Sequence, residues 1–235
     1  RQLFRLAVNF NQLNRDFYDT FAAEFSHSRQ AINPGITRVL KSLDLSAVLD
    51  VGCGDGRVSR ALPEGCRYVG LDFSAKLIGR ACRGDPRGRP RGQAGQGQAL
   101  PLQQRHFVLA DVSVSLPLAS GSFPAVVCFA TLHHLPERLP LVRELARVTQ
   151  PGGRIAISVW QITHNERMRK KIVEDLGSGD YVLDWKSGGR GLRFVHEVTE
   201  DELRMLAREA GLTVNEMYRS DGMNGDLGLY AILEC

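Results

Sequence analysis

The sequence lacks the cysteine pairs, long apolar runs and N-terminal leader that are typical of secreted and membrane proteins. Its five cysteines are scattered among 235 residues and form no CxxC pair, so we expect reduced thiols and neither a disulfide framework nor a zinc site. No apolar run approaches the ~20 residues of a membrane-spanning helix, and the first residues lack the apolar core and cleavage site of a signal peptide. These absences predict a cytoplasmic protein that makes no membrane contact.

A strong charge of either sign is also missing. The formal net charge is +4, and hydrophobic residues make up 43% and charged residues 24% of the chain, which is ordinary for a globular protein. The mild positive charge permits an RNA partner without requiring one. The length suits one large domain with a full core, and no internal repeat divides it, so we predict a single domain over residues 1–235.

The chain is organised around the segment VLDVGCGDGRVSRAL at Val48–Leu62. This segment lacks both the dinucleotide-binding fingerprint and the P-loop signature. An apolar run is followed there by three alternating glycines and then by amphipathic helical spacing. This order predicts a buried strand, a tight turn and a helix. The dinucleotide fingerprint GxGxxG would need a third glycine where Arg57 stands, and the P-loop string GxxxxGK[ST] does not occur. The turn is therefore predicted to bind another kind of nucleoside.

Two acidic residues indicate the chemical groups of that ligand. Asp50 ends the first apolar strand, and Asp72 ends the next apolar run, Tyr68–Leu71. A carboxylate at the first position repels phosphate and suits an ammonium group, whereas one at the second position can accept hydrogen bonds from ribose hydroxyls. Together with Gly52 and Gly54, they predict a site for a nucleoside with a cationic, non-phosphorylated tail.

Four motifs, in this order, resemble those of the class I S-adenosylmethionine-dependent methyltransferases. They are DVGCGDG at 50–56, GLDFS at 70–74, LADV at 109–112 and PGG at 151–153. The resemblance implies an α/β fold, namely a three-layer α/β/α Rossmann-like sandwich whose seven-stranded, mostly parallel sheet has an antiparallel final strand. It also implies S-adenosylmethionine as the methyl donor and S-adenosylhomocysteine as its product.

The same resemblance implies which residues bind the donor. In this family an acid in the position of Asp111 accepts the adenine amino group, and the next residue, Val112, supplies a backbone contact. N-terminal helices often cover the donor, so we expect a helical lid in residues 1–45, where aromatic residues recur at helical spacing. The expected donor contacts are Tyr18, Asp50, Gly52, Gly54, Asp72, Phe73, Asp111, Val112 and Phe129.

The segment Arg83–Arg105 is rich in Gly, Pro, Gln and Arg and has almost no apolar residues before Leu100. Such a composition cannot bury enough surface to become ordered, so we predict a mobile surface loop over residues 83–105. Its arginines either contact RNA phosphates or belong to a tolerated insertion.

Two adjacent histidines, His133 and His134, follow the predicted fourth strand, Phe123–Phe129. Open parallel sheets place their chemistry at the ends of such strands, so the pair is predicted to line the active site. No metal centre is expected, because adjacent ring donors without a nearby cysteine or acid cannot enclose a metal. One histidine is expected to contact the donor or the substrate, and the other to cap local backbone.

Four further segments carry a narrower resemblance. They are AEFSHSR at 23–29, SVW at 158–160, DYVLDW at 180–185 and RFVHEVTEDEL at 193–203. They resemble the methyltransferases that esterify carboxymethyluridine at the wobble position of tRNA, although Asp184 replaces a proline and Phe194–Val195 replace two tyrosines of that family. The resemblance implies a substrate-side insertion over residues 161–196 and, in eukaryotes, a small zinc-binding activator subunit. The expected substrate contacts are His134, Trp160, Trp185 and His196.

The acceptor decides which catalytic groups are needed. A carboxylate is already ionised at neutral pH and needs a cation to orient it, for which Arg29 and Arg193 are the candidates. An oxygen or nitrogen nucleophile of higher pKa would need a base, and His133 or His134 could serve. Besides a tRNA-modifying enzyme, two alternatives remain, a small-molecule O- or N-methyltransferase and a non-catalytic protein that binds the donor as an interaction module.

Overall fold

The computed structural model describes residues 8–29, 31–83 and 105–235. The predicted loop over 83–105 lies almost entirely outside the described residues, as does the start of the predicted lid. The strands are β1 (Ala47–Val51), β2 (Arg67–Asp72), β3 (Arg105–Leu109), β4 (Phe123–Phe129), β5 (Thr149–Trp160), β6 (Ile172–Gly177), β7 (Asp180–Trp185), β8 (Gly191–His196), β9 (Thr213–Ser220) and β10 (Gly228–Glu234). The helices are α1 (Phe10–Thr20), α2 (Ala22–His27), α3 (Pro34–Leu40), α4 (Ala75–Arg83), α5 (Leu139–Val148), α6 (Glu166–Arg169) and α7 (Glu200–Glu209), with 3₁₀ turns at Val58–Ala61 and Leu132–His134.

The main sheet has seven strands in the order β3-β2-β1-β4-β5-β10-β9. Strand β1 lies in its centre, with every residue buried, and pairs in parallel with β2 and β4. Strand β10 is antiparallel to both of its neighbours. The predicted seven-stranded, mostly parallel sheet with an antiparallel final strand is thus confirmed, and the carboxyl ends of its central strands meet at one edge.

Helices cover both faces of this sheet. On one face a hydrophobic core includes Leu141 of α5 and Leu203 of α7. On the other face a second core includes Ile36 of α3 and Ile78 of α4. The result is the predicted three-layer sandwich. Among the helices of the described residues, none combines the length and the apolar character that crossing a membrane requires.

Two local predictions were wrong. The helix expected after the glycine turn is only a 3₁₀ turn, because Leu62 takes an extended conformation ahead of Pro63, and proline disfavours a helical residue before it. The strand expected to be buried over His106–Val112 is β3, where Val108 is 39% and Leu109 56% exposed. It lies at the edge of the sheet, a position that its apolar composition does not reveal.

The insertion over residues 161–196 forms a second, antiparallel sheet, β6-β7-β8, which the sequence did not predict. Helix α1 packs against β8, since the rings of Phe10 and Phe194 stack with centroids 4.4 Å apart. The Asn14 amide donates to Phe194 O (3.1 Å) and accepts from Phe194 N (2.8 Å), and it also donates to His134 O (2.9 Å). The N-terminal helix and the second sheet therefore form one wall beside the carboxyl edge of the main sheet.

Candidate functional site

A cavity of about 680 Å³, counting the open space at its mouth, lies at the carboxyl ends of β1, β2 and β4. Open parallel sheets bind their ligands at this place, and the volume is within the range of small-molecule sites. The sequence-predicted residues that line this cavity are Tyr18, Arg29, Asp50, Gly52, Gly54, Asp72, Phe73, Phe129 and His134. We call it the donor cavity.

The glycine turn forms the floor of the donor cavity. Gly52 has a φ of +80°, and a Cβ atom there would lie 1.9 Å from the Thr131 hydroxyl oxygen, so only glycine fits against the segment that follows β4. Gly54 has a φ of +58°, and among the residues that the structure describes only a Phe25 ring carbon, at 3.9 Å, lies within 4 Å of its missing Cβ. Its backbone therefore faces almost open space, and a ligand can approach it closely.

Two buried carboxylates lie beside this turn. The Tyr68 hydroxyl donates to Asp50 Oδ2 (2.7 Å), and the amides of Gly54 and Ser74 donate to the two oxygens of Asp72 (2.8 Å each). Burial raises the pKa of Asp50 to about 7 and that of Asp72 to about 6, although these hydrogen bonds oppose the rise. Because a bound cation stabilises an ionised carboxylate, the floor of the cavity favours a positively charged ligand.

A smaller cavity of about 330 Å³ adjoins the first and shares Phe73 and His134 with it. Asp111 and Val112 line this second cavity, as expected for a neighbouring part of the same site. The sequence did not reveal that Arg15 of α1 pairs with Asp111 Oδ2 at 2.7 Å. Burial raises the pKa of Asp111, but hydrogen bonds from Ser113 and the Arg15 guanidinium hold this pKa below its usual value. An adenine amino group would therefore share this carboxylate with Arg15.

His134 lines the donor cavity, but both of its ring nitrogens are already bonded. Nδ1 lies 3.0 Å from Phe194 O, and because a carbonyl can only accept, Nδ1 carries the proton. Nε2 therefore accepts from the Tyr18 hydroxyl at 2.7 Å. Burial lowers the pKa of His134 to about 3, so the ring is neutral. We conclude that His134 orients Tyr18 and has no ring nitrogen left to act as a base.

His133 is fully buried and stacks at 4.6 Å, between ring centroids, on Trp160. Its Nδ1 accepts from the Trp160 backbone amide at 3.3 Å, whereas Nε2 has no hydrogen-bond partner in the described part of the chain. Burial lowers its pKa well below the usual value. His133 is not among the residues that line the donor cavity, but its ring lies 4.4 Å, between centroids, from that of His134, which does line it. Within the described residues, no group of His, Cys, Asp and Glu is arranged to hold a metal ion.

The two predicted cations meet at Trp160. The Arg29 guanidinium carbon lies 5.1 Å from the centroid of the indole ring and that of Arg193 lies 4.6 Å from it. Arg193 is 1% exposed, and its Nε and Nη1 atoms are buried without a hydrogen-bond partner among the described residues. Burial lowers the pKa of Arg29 to about 10, so Arg29 stays charged at neutral pH, and burial also lowers the pKa of Arg193.

The other two predicted substrate contacts lie away from the donor cavity. The Trp185 ring packs between Phe17 and Arg193, and its indole nitrogen donates to Ser187 O at 2.6 Å. The His196 ring bridges two acids, since Nδ1 lies 2.6 Å from Asp180 and Nε2 lies 2.8 Å from Glu202. His196 thus fastens the second sheet to α7 and is a structural residue.

Comparison with known proteins identifies the family. A family model described as a methyltransferase domain matches residues 49–157. A putative methyltransferase of Encephalitozoon cuniculi is 30% identical over 226 residues, with 93% of each chain covered. A tRNA (carboxymethyluridine(34)-5-O)-methyltransferase of Arabidopsis thaliana is 32% identical over 176 residues, which are 73% of this chain and only 38% of that protein. Ubiquinone biosynthesis O-methyltransferases are also similar, at 27% and 28% identity.

The fold agrees with these relatives. A solved complex between the Trm112 methyltransferase activator of Haloferax volcanii and a putative methyltransferase matches with a TM-score of 0.65 and 18% identity, covering 94% of this chain and 96% of that one. The donor cavity also suits S-adenosylmethionine on chemical grounds: buried Asp50 and Asp72 can bind an ammonium group and ribose hydroxyls, and Gly54 leaves room for close approach. From the sequence, the fold and this site together, the chain belongs to the S-adenosylmethionine-dependent methyltransferases.

Proposed function

We propose that the chain esterifies a carboxylate, and specifically the carboxymethyl group of a tRNA wobble uridine. The observation that supports this proposal is the pair of guanidinium groups at Trp160. Neither Arg29 nor Arg193 forms an ion pair with an acid of the described residues, and two donor atoms of Arg193 are buried without a partner. Leaving a buried charged donor unsatisfied costs on the order of 1–3 kcal/mol or more, and a bound carboxylate would remove this cost.

The surroundings of the two histidines that the sequence offered as bases favour the same acceptor. S-Adenosylmethionine supplies an electrophilic methyl group, and a carboxylate oxygen needs no deprotonation before it attacks. The nitrogens of His134 are both bonded, and His133 is fully buried and does not line the donor cavity. The chain would then act by orienting the carboxylate with Arg29 and Arg193 and by excluding water.

The sequence segments that contain these residues support tRNA as the substrate. Arg29, Trp160 and Arg193 belong to three separate segments, AEFSHSR, SVW and RFVHEVTEDEL, which carry the resemblance to the wobble-uridine enzymes. The fold brings one residue from each segment to one place beside the donor cavity. Trp185, from the fourth segment, contacts the same Arg193.

The test is transfer of a labelled methyl group into bulk tRNA, compared with transfer into a small-metabolite extract. We expect label in the tRNA, and we expect mild alkali to release it because methyl esters hydrolyse. Label that appears only among the metabolites would contradict the proposal in favour of a small-molecule enzyme. Measurable donor binding without label in either pool, with an activator added, would indicate a non-catalytic protein.

We also propose that a small activator subunit assists the chain, as in the Haloferax complex. Edge strand β3 offers it a surface, since unpaired edge strands and exposed apolar side chains favour association. Co-expression with such a subunit should raise soluble yield and activity, and Leu109→Glu should abolish the gain. Val173→Glu is the matched control, because Val173 is 55% and Leu109 56% exposed. An equal loss of soluble yield and activity in both variants, or no gain from the subunit, would contradict binding of the activator at β3.

A further inference from the structure

Cations and indole rings alternate from the donor cavity towards the surface of the second sheet. Arg29 lies over Trp160 (5.1 Å), and Arg193 lies over both Trp160 (4.6 Å) and Trp185 (5.5 Å), measured from the guanidinium carbon to the ring centroid. The Lys171 ammonium nitrogen lies 5.8 Å from the centroid of Trp185. We call this series, Arg29-Trp160-Arg193-Trp185-Lys171, the cationic ladder.

The ladder carries positive charge that the described acids do not neutralise. Its three cations form no ion pair with any acid whose position the structure gives, whereas nearby Lys170 pairs with Glu166 at 2.6 Å. The neighbouring Lys186 pairs with Asp184 at 3.1 Å. Lys171 therefore differs from the two neighbouring lysines, and Arg167 likewise forms no ion pair with an acid of the described residues.

Arg167 extends this charge to the surface. It is exposed on α6, and it is one of the cations close enough to disturb Lys171. Burial and, to a smaller extent, the charges of Arg193, Arg167 and Arg29 together lower the pKa of Lys171 to about 8, while Asp184 opposes them. A field of this sign favours binding of an anion near Lys171.

The ladder is too long for one carboxylate. If Arg29 and Arg193 orient the acceptor, as proposed above, then the ring of Trp185 lies between Arg193 and Lys171, and Arg167 acts on Lys171 from α6. A small acid would leave this outer pair without an anion. A nucleic acid strand carries phosphates on both sides of each nucleotide, and its binding sites commonly combine cations with aromatic rings.

We infer that Lys171 and Arg167 bind the phosphate backbone of a nucleic acid strand whose acceptor nucleotide enters the donor cavity beside Arg29, which lines that cavity. The inference depends on the proposed function, because it takes the acceptor carboxylate to be part of a polynucleotide. In this arrangement the second sheet and α6 contribute to substrate affinity and do not orient the reacting group.

The experiment measures tRNA affinity of the purified full chain over a range of salt concentrations. Arg167→Ala and Lys171→Met are the test variants, and methionine keeps an apolar stem against Trp185. We expect each variant to weaken binding several-fold and to lower the slope of log affinity against log salt by about one, the value for one lost phosphate contact. In the methylation assay KM for tRNA should rise while kcat stays unchanged.

Lys170→Ala is the matched control, since it removes an equal charge from the adjacent position but breaks only the pair with Glu166. It should leave the salt slope unchanged. Test variants that behave like Lys170→Ala while tRNA is still methylated would overturn the inference and leave the proposed function standing. If the wild-type chain methylates only small metabolites, both fail. A thermal melt of Lys171→Met that matches the wild type ensures that a loss of affinity is not a loss of folding.

Discussion

The donor cavity has an acidic floor and a cationic wall, and the two are assembled differently. On the floor, Asp72 accepts hydrogen bonds from Gly54 and Ser74, which are 18 and 2 residues away in the chain. On the wall, Arg193 contacts rings from α1, β5 and β7. The floor is therefore built from local turns that hold the acids in place, whereas the wall depends on long-range packing. The predictions below separate these two regions.

Gly52→Ala is expected to have the largest effect, because it alters the floor itself. The new Cβ would lie 1.9 Å from Thr131 Oγ1 at a φ of +80°, and strain together with the clash should destabilise folding by about 3 kcal/mol or more. Calorimetry should show no donor binding. Gly65→Ala is the control, since its φ is +86° but nothing lies within 4 Å of the added Cβ. Equal losses in both variants would show that the clash with Thr131 is unimportant.

Arg193→Lys should impair the cationic wall and therefore methyl transfer, without affecting donor binding at the floor. Lysine cannot reproduce the planar fork of donors, so kcat/KM should fall by about 10- to 150-fold, which corresponds to about 1.5–3 kcal/mol for a charged hydrogen bond. The dissociation constant of the donor should not change. Asp72→Asn should have the opposite pattern, with donor binding as the property that is mainly weakened. Arg190→Lys, at an exposed site, should have no effect, and a raised donor dissociation constant in Arg193→Lys would contradict the separation.

The floor should respond to pH. Burial raises the pKa of Asp50 to about 7, and a cationic donor prefers the ionised carboxylate, so donor affinity should be full well above pH 7. It should fall by about tenfold per pH unit below pH 7, and more steeply near the pKa of Asp72, which is about 6. Tyr68→Phe removes a hydrogen bond that lowers the pKa of Asp50, and the midpoint should move upward. A midpoint that stays in place would contradict this role for Tyr68.

The smallest effect is expected at His196, which fastens the wall without touching the cavity. Burial alone lowers its pKa, but hydrogen bonds with Asp180 and Glu202 raise it above the usual value. The stabilisation is therefore fully present below the unfolded pKa of about 6.5 and is lost as the pH rises through the raised folded value. His196→Gln should lower Tm by about 2–4 °C per kcal/mol lost, more at pH 6 than at pH 9. The same decrease at both pH values would contradict the linkage.

Much of the floor could be predicted from the sequence. The alternating glycines, Asp50 and Asp72 all lie in the predicted place, because a strand, its turn and its closing acid are consecutive in the chain. The exposed position of β3 and the shortness of the turn at Val58–Ala61 were not predicted. The first depends on which strand ends the sheet, and the second on a conformational restriction by Pro63.

Less of the wall could be predicted. The sequence named His134 and His196 as substrate contacts, but the structure bonds both nitrogens of each ring to the protein. Arg15 and Asn14 were not singled out, since nothing in an amphipathic helix shows which polar residue turns inward to Asp111 or Phe194. Such bonds join residues about a hundred or more positions apart.

The sequence by itself determined the fold class, the donor and the floor that binds it, because their signals are short motifs with local physical meaning. Only the tertiary structure decided that the insertion is a β-sheet, that Arg29 and Arg193 meet at one indole ring, and that both ring nitrogens of His134 and of His196 are bonded within the protein. The reason is that burial and pairing are properties of the packed chain. A cation becomes a candidate for holding an acceptor when it forms no ion pair with an acid of the described residues, and no motif records that pairing.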